Sequence, residues 1–357
     1  MIDANLNRMN EGLRVLEDVA RFVLDDAQLS QRLRALRHEL ARDTKGLRTE
    51  LLSHRDSDED VGRHYASSSE PKSPVEQAAS ARTLLDLVAA NARRVQESLR
   101  VIEELAKLPE LSARLNSASF ERGRFNLYSL EKDLISRISR RDKREKISGL
   151  YVILDRQFLA GRDEMDVAAG IIEAGARVIQ LRDKQGSKRE LLSVAQKLKE
   201  LCTKADVLFI MNDYLDLALA VDADGVHVGQ KDLPLPVIRK ELPVDRIVGC
   251  SVTTVLQATK AERDGADYVA VGSIFPTATK KDATMVGLSR LREVRQKVSI
   301  PVVAIGGINR TNVGQVLNAG ADAVAVISAV LGERDVREAA RRLVTTIGSV
   351  KSQCQDQ

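Results

Sequence analysis

Apolar and polar positions follow different rhythms on either side of residue 148. Upstream, Leu6, Met9, Leu13, Leu16, Ala20 and Val23 alternate spacings of three and four, which puts them on one core-facing stripe of a helix. The same Leu-, Arg-, Glu- and Ala-rich texture predicts helices over 29–51 and 117–140, with a polar, Pro-containing linker at 67–74. Segment 5–21 recurs at 91–107, with identities at Asn5/Asn91, Arg8/Arg94, Glu11/Glu97, Leu13/Leu99, Arg14/Arg100, Val15/Val101, Glu17/Glu103 and Ala20/Ala106. Two copies are too few for a solenoid, so residues 1–147 read as an all-helical bundle with pseudo-symmetry.

Downstream, β-rich runs at 149–155, 176–183, 206–213, 224–229, 246–253, 267–275, 301–308 and 322–330 alternate with amphipathic stretches. Near-continuous apolar runs mark strands buried on both faces, hence parallel. Eight such units within 148–357 predict an α/β domain, a (β/α)8 TIM barrel rather than a doubly wound sheet, which usually has fewer strands.

Composition narrows the partners. With 43% hydrophobic and 30% charged residues, the chain is neither disordered nor membranous. No apolar run reaches the roughly 18 residues of a membrane-spanning helix, and the first residues lack the order of a signal peptide, so a cytoplasmic protein is expected. Basic and acidic groups nearly balance, 55 against 51, and aromatics are 3% without Trp, which argues against nucleic acid. Cys202, Cys250 and Cys354 have neither CxxC spacing nor a His cluster and read as incidental thiols. Small anionic molecules remain as partners, with homo-oligomerisation open.

A TIM barrel builds its active site from loops after the C-terminal strand ends. The polar clusters fall there: 180–184, Asn212 with Asp213, 227–232, Ser251, 276–282, Gly306 with Gly307, and Ile327 with Ser328. Asp213 and Asp232 follow adjacent strands and suit Mg²⁺, which accepts a few carboxylate oxygens and leaves positions for phosphate. Arg182, Lys184 and Lys280 add cations, so the ligand should be highly anionic, such as a diphosphate. The glycines after the seventh strand, and Ile327–Ser328 after the eighth, offer N–H groups at helix starts for a second, monophosphate ligand. Structural alternatives stand beside these readings: Asp213 as a helix N-cap, Thr277 and Thr279 as turn formers, His227 as a hydrogen-bonded residue at a strand end rather than a proton carrier. No nucleophilic triad emerges, which points to displacement aided by electrostatics.

The order QLRDK, ND, GVHVGQKD, Ser251, PTATKKD, IGGI and VIS closely resembles the thiamine-phosphate synthase family over roughly 148–348. The resemblance implies a transferase that joins hydroxymethylpyrimidine diphosphate to hydroxyethylthiazole phosphate. It assigns Gln180, Arg182, Lys184, Asn212, Ser251 and Lys280 to the pyrimidine diphosphate, and Asp213 and Asp232 to Mg²⁺. Thr277, Thr279, Gly307, Ile327 and Ser328 go to the thiazole phosphate. Arg182, Lys184, Ser251 and Lys280 are the expected catalytic groups, and the loop 276–287 is expected to close as a lid. A thiazole tautomerase or a phosphate-sensing regulator on the same barrel is the alternative.

Residues 3–22, 33–40, 58–62 and 91–104 resemble the helical domain fused to some of these synthases, itself similar to a proposed ATP-dependent kinase for the pyrimidine monophosphate. That resemblance implies a phosphate cleft lined by Asn5, Arg8, Arg14, Arg37, His38, Asn91, Arg94 and Arg100. Against it, the sequence has no GxxxxGK[ST] loop. Glu11, Arg14, Asp18 and Arg21 also read as an ordinary solvated face, which would leave a docking or dimerisation module.

Overall fold

The computed structural model describes residues 1–47, 50–51, 83–277 and 284–355, so the expected linker at 67–74 and the stretch 58–62 lie outside the described residues. The chain divides into two compact units, Met1–Ser139 and Arg140–Gln357. None of its described helices is long and apolar enough to cross a membrane.

The first unit is helical: α1 Ile2–Asp18, α2 Ala27–Asp43, α3 Leu84–Leu105, the short α4 Pro109–Ser112, and α5 Ser117–Glu145, whose last turn belongs to the second unit. The Asp26 side chain caps α2, and a Thr83–Asp86 capping box opens α3. Leu6, Met9, Leu13, Leu16 and Ala20 are buried as the spacing requires, whereas Val23 is exposed. A π-helical turn at Val19–Val23 follows α1 and carries Val23 off the stripe.

The repeated segments pack against each other. A Cβ at Gly12 would lie 2.5 Å from Val95 Cγ2 and 3.2 Å from the Asn91 carbonyl oxygen, so α1 and α3 approach as only a missing side chain allows. The repeat also preserves an ion pair. Glu17 on α1 meets Arg37 on α2 at 2.8 Å, and its counterpart Glu103 on α3 meets Arg124 on α5 at 3.1 Å. Each copy thus pairs its core helix with a partner helix through an equivalent carboxylate.

The second unit is a closed barrel of parallel strands in sequence order: β1 Gly149–Asp155, β2 Val178–Arg182, β3 Leu208–Asn212, β4 Gly225–Val228, β5 Ile247–Val252, β6 Tyr268–Val271, β7 Val302–Ile305 and β8 Ala323–Val326. Side chains alternate between an inner cluster that includes Tyr151, Ile153, Leu208, Ile210, Tyr268 and Val303 and a larger outer cluster packed under the helices. At the N-terminal rim an aspartate precedes three alternate strands. Asp224, Asp267 and Asp322 accept the backbone N–H of Phe209, Val248 and Val302 at 3.0, 2.8 and 2.7 Å, each tying its strand to the one before. Arg140 Nε reaches Asp267 at 2.8 Å, Lys199 Nζ reaches Asp224 at 2.9 Å, and Arg295 reaches Asp322 at 2.8 Å.

Candidate active site

Residues singled out from the sequence gather at the C-terminal rim. Gln180 is buried within β2, and Arg182 ends that strand in register with Asp155, the last residue of β1. The wholly buried Asp155 carboxylate accepts a hydrogen bond from the Arg182 guanidinium and fixes it at the rim. Asp183 is structural. Its carboxylate accepts the N–H groups of Gln185 and Gly186, both at 2.9 Å, and pairs with Arg156 at 2.8 Å, which shapes the loop carrying Lys184.

Asn212 ends β3 beside His227 of β4, and Asp213 follows it in a left-handed conformation, φ +60°, with its N–H donated to the His227 carbonyl at 2.9 Å. Asp is one of the non-glycine residues that enter this region most readily. The next helix, Leu215–Ala220, has Tyr214 at its N-cap without a side-chain cap, so Asp213 is not spent on capping. Its carboxyl turns to Asp232 in the loop after β4, where the two share a hydrogen bond. Burial first, then the Asp232 charge and that hydrogen bond, push the Asp213 carboxyl above the ordinary carboxylate range; Lys184, 3.8 Å away, and the Asn212 amide pull it down. Asp232 is oriented by the Gly229 N–H at 2.7 Å. Two carboxyls brought together at the rim, next to a cation, form a donor set that suits a hard divalent ion. No group of three or more His, Cys, Asp or Glu able to hold a metal occurs among the described residues, so water and phosphate oxygens would complete the coordination.

Across the barrel interior, Gln180 Nε2 donates to Tyr151 Oη at 2.6 Å, Tyr151 Oη lies 2.9 Å from Tyr268 Oη, and Tyr268 Oη lies 3.1 Å from His227 Nδ1. His227 Nε2 is 2.9 Å from Ser251 Oγ. Burial pushes His227 down to about 4 and raises both tyrosines, so these groups are neutral. His227 is therefore a hydrogen-bonded residue with both ring nitrogens engaged.

The opposite side of the rim carries the glycines. Gly306 and Gly307 have φ of +100° and +64°, and a Cβ would fall 2.1 Å from Ser273 Oγ at the first and 2.3 Å from the Pro276 carbonyl at the second. They are required by this close approach of the β6 and β7 loops, not by a helix start, because the following helix begins only at Val313. Ile327 and Ser328 do open a short helix, Ser328–Leu331. Thr277 lies next to Pro276 and hence beside Gly307, whereas Thr279 and Lys280 lie outside the described residues.

Asp155, Tyr151 and Tyr268 were not among the residues singled out from the sequence. Asp155 carried a signal, since it closes a strand at the functional end; the tyrosines looked like core, and only the register shows their hydroxyls meeting inside the barrel. Burial raises Cys202 to about 12 and Cys250 to about 11, so both are inert thiols. In the helical unit, the Asn5 and Asn91 amides are buried and donate to carbonyls one turn back, at 3.0 and 2.8 Å. Arg37 and Arg100 are paired with glutamates, and Arg8, Arg14, His38 and Arg94 are exposed.

A family model for thiamine monophosphate synthase matches residues 150–330, and one for the ThiD2 family matches residues 1–133. The chain is 37% identical over 338 residues to a thiamine-phosphate synthase of Prochlorococcus marinus, covering 94% of this chain and 92% of that one. Against the enzyme of the same name from a Synechococcus it is 38% identical, covering 97% and 95%. A Methanospirillum hungatei thiamine-phosphate synthase aligns at 50% identity with 54% of this chain and 95% of its own length. Among solved structures, thiamine phosphate pyrophosphorylase from Pyrococcus furiosus superposes with a TM-score of 0.55 at 43% identity, covering 58% of this chain and 98% of that one.

Proposed function

The chain belongs to the thiamine-phosphate synthase family, and on that premise we propose that its barrel rim joins a pyrimidine diphosphate to a thiazole phosphate. The enzyme is a transferase acting on small phosphorylated heterocycles. The observation that carries the site assignment is the meeting of Asp213 and Asp232 with Lys184 at one rim, beside an Arg182 held by Asp155.

Asp213 and Asp232 would hold Mg²⁺, which when bound supplies positive charge to the diphosphate oxygens. Arg182 and Lys184, with Lys280 from the loop after β6, donate to the diphosphate and stabilise the charge it gains on leaving. Asn212, Gln180 and Ser251 orient the pyrimidine half. The bond between the pyrimidine methylene and the diphosphate oxygen breaks with both electrons leaving on oxygen; the aminopyrimidine ring delocalises the resulting cation, and the thiazole nitrogen donates its lone pair to the methylene carbon. That nitrogen carries no proton to lose, so no general base is needed, in keeping with a neutral, fully hydrogen-bonded His227. Thr277, Gly307, Ile327 and Ser328, on the opposite side of the rim, would take the thiazole phosphate, and the family resemblance adds Thr279 to them. A thiazole tautomerase would have no use for the acid pair and its cations. Incubating the full-length protein with both purified precursors, with and without Mg²⁺, should give thiamine phosphate and diphosphate with the metal alone; no product under either condition overturns the reading.

For the helical unit, the ThiD2 match favours a second activity, ATP-dependent phosphorylation of the pyrimidine monophosphate. A hollow of about 400 Å³ lined by Glu17, Arg21, Asp25, Ser30, Gln31 and Arg34 presents two guanidinium groups for phosphate, neither of them on a residue that the resemblance marked. Full-length protein given ATP and the monophosphate should transfer the γ-phosphoryl group; absence of transfer leaves this unit a docking or dimerisation module.

A further inference from the structure

Four hydrogen bonds run in series across the barrel, from Gln180 through Tyr151, Tyr268 and His227 to Ser251. Their direction follows from the number of protons available. Gln180 Nε2 can only donate, so Tyr151 Oη accepts from it, and Tyr151's own single proton is satisfied when it is given to Tyr268 Oη. Tyr268 then gives its own proton to His227 Nδ1, which is the bare ring nitrogen, and Nε2–H donates to Ser251 Oγ. Ser251 already accepts from the histidine, so its remaining hydroxyl proton is available to a ligand at the rim. At the other end Gln180 is pinned through nitrogen and offers Oε1 as an acceptor.

The interior is built around this chain. Tyr151, Tyr268 and Gln180 are at most 2% exposed, and a Cβ at Gly249 would fall 2.1 Å from Tyr268 Cζ and 2.5 Å from His227 Nδ1. The missing side chain at Gly249 leaves the space in which the tyrosine and histidine rings meet. Buried polar groups in such a series are satisfied together or not at all. A reversed chain would need Gln180 to turn its Oε1 toward Tyr151, or Tyr151 to accept twice and leave its own proton without a partner, and would turn Ser251 into an acceptor toward the ligand.

We propose that Tyr151, Tyr268 and His227 are positioning residues that fix opposite hydrogen-bonding polarity at two ligand-binding ends, Gln180 as acceptor and Ser251 as donor. The matching ligand carries an amino N–H at one edge and an acceptor, a ring nitrogen or phosphate oxygen, at another, as a phosphorylated aminopyrimidine does. This rests on the reading that Gln180 and Ser251 hold the pyrimidine half.

The test has a spectroscopic arm and a kinetic arm, both on the full-length protein. With ¹⁵N-labelled histidine, and His227 assigned by its loss in His227→Gln, the wild type is expected to show a protonated Nε2 and a bare Nδ1. Gln180→Glu has the same shape but only accepts once ionised, so it is read up to about pH 10, above the range to which burial lifts a carboxyl; ionised, it is expected to invert the tautomer to Nδ1–H. Nδ1–H in the wild type, or no change in Gln180→Glu, overturns the one-directional chain. Tyr151→Phe removes one hydroxyl and keeps the ring. It is expected to raise KM for the pyrimidine diphosphate about tenfold, the order of one lost hydrogen bond, with KM for the thiazole phosphate unchanged. An equal rise in both, or in neither, reduces the tyrosine to packing and overturns the positioning role. Failure of the wild type to form product would sink the substrate reading instead, and the tautomer measurement does not depend on it.

Discussion

Asp213 combines two demands that a conservative substitution separates. Its backbone sits at φ +60°, which asparagine also tolerates, while its carboxyl meets that of Asp232. Asp213→Asn should therefore melt within a degree or two of the wild type yet lose about two orders of magnitude or more in turnover, the scale of losing metal-assisted charge stabilisation. Thermal melts alongside product assays over a range of Mg²⁺ check it, and near-normal turnover would remove Asp213 from metal binding. His227 gives a pH signature. Unfolded histidine titrates near 6.5, and burial holds His227 at about 4, so between those values the unfolded chain binds more protons. Stability should be full above about pH 6.5 and fall as the pH drops toward 4, by up to roughly 3.5 kcal/mol, a limb that His227→Gln should flatten in denaturant titrations. Residues of this kind were unequally legible. Asp213 and Asp232 stood out because carboxylates at strand ends are expensive unless used. Tyr151 and Tyr268 did not, because a strand tyrosine buried for packing and one buried for its hydroxyl have the same sequence context.

Between elements, glycine reports what side-chain periodicity cannot. Replacing Gly12 with alanine would normally help a helix by about 1 kcal/mol. Here the added methyl meets Val95 at 2.5 Å and the Asn91 carbonyl at 3.2 Å, and the overpacking, about 1–3 kcal/mol, should outweigh that gain. Gly12→Ala is expected to lower the denaturant midpoint; a higher midpoint would mean that α1 and α3 separate freely. The helices and strands themselves were readable because apolar spacing sets which face is buried, and the barrel followed from repeated buried runs. Where α1 gives way to a π turn, and why Gly306 and Gly307 are glycines, depends on contacts with segments distant in sequence, which local pattern does not encode.

For the molecule as a whole, two units with separate cores carry two proposed steps on one phosphorylated pyrimidine, one making the diphosphate and one consuming it. If so, full-length Asp213→Asn supplied with ATP, the pyrimidine monophosphate and the thiazole phosphate should accumulate pyrimidine diphosphate and form little thiamine phosphate. Chromatography of the reaction resolves the two, and the absence of any diphosphate would leave the helical unit without this chemistry. The change from helical to strand rhythm near residue 148 was legible, whereas the compact units divide earlier, between Ser139 and Arg140 inside α5, because the end of that helix packs with the barrel; the function of the helical half was not legible, because its charged residues are distributed as on any solvated helix face.

Asp224, Asp267 and Asp322 staple neighbouring strands at the rim opposite the acid pair, with arginine or lysine partners on their far side. Closure of the ring is thereby secured by groups that never see a ligand. Libraries confined to the β6 and β8 loops can then exchange one azole acceptor for another while the staples keep the cylinder shut, which makes this scaffold a tolerant host for altered nucleophile preference.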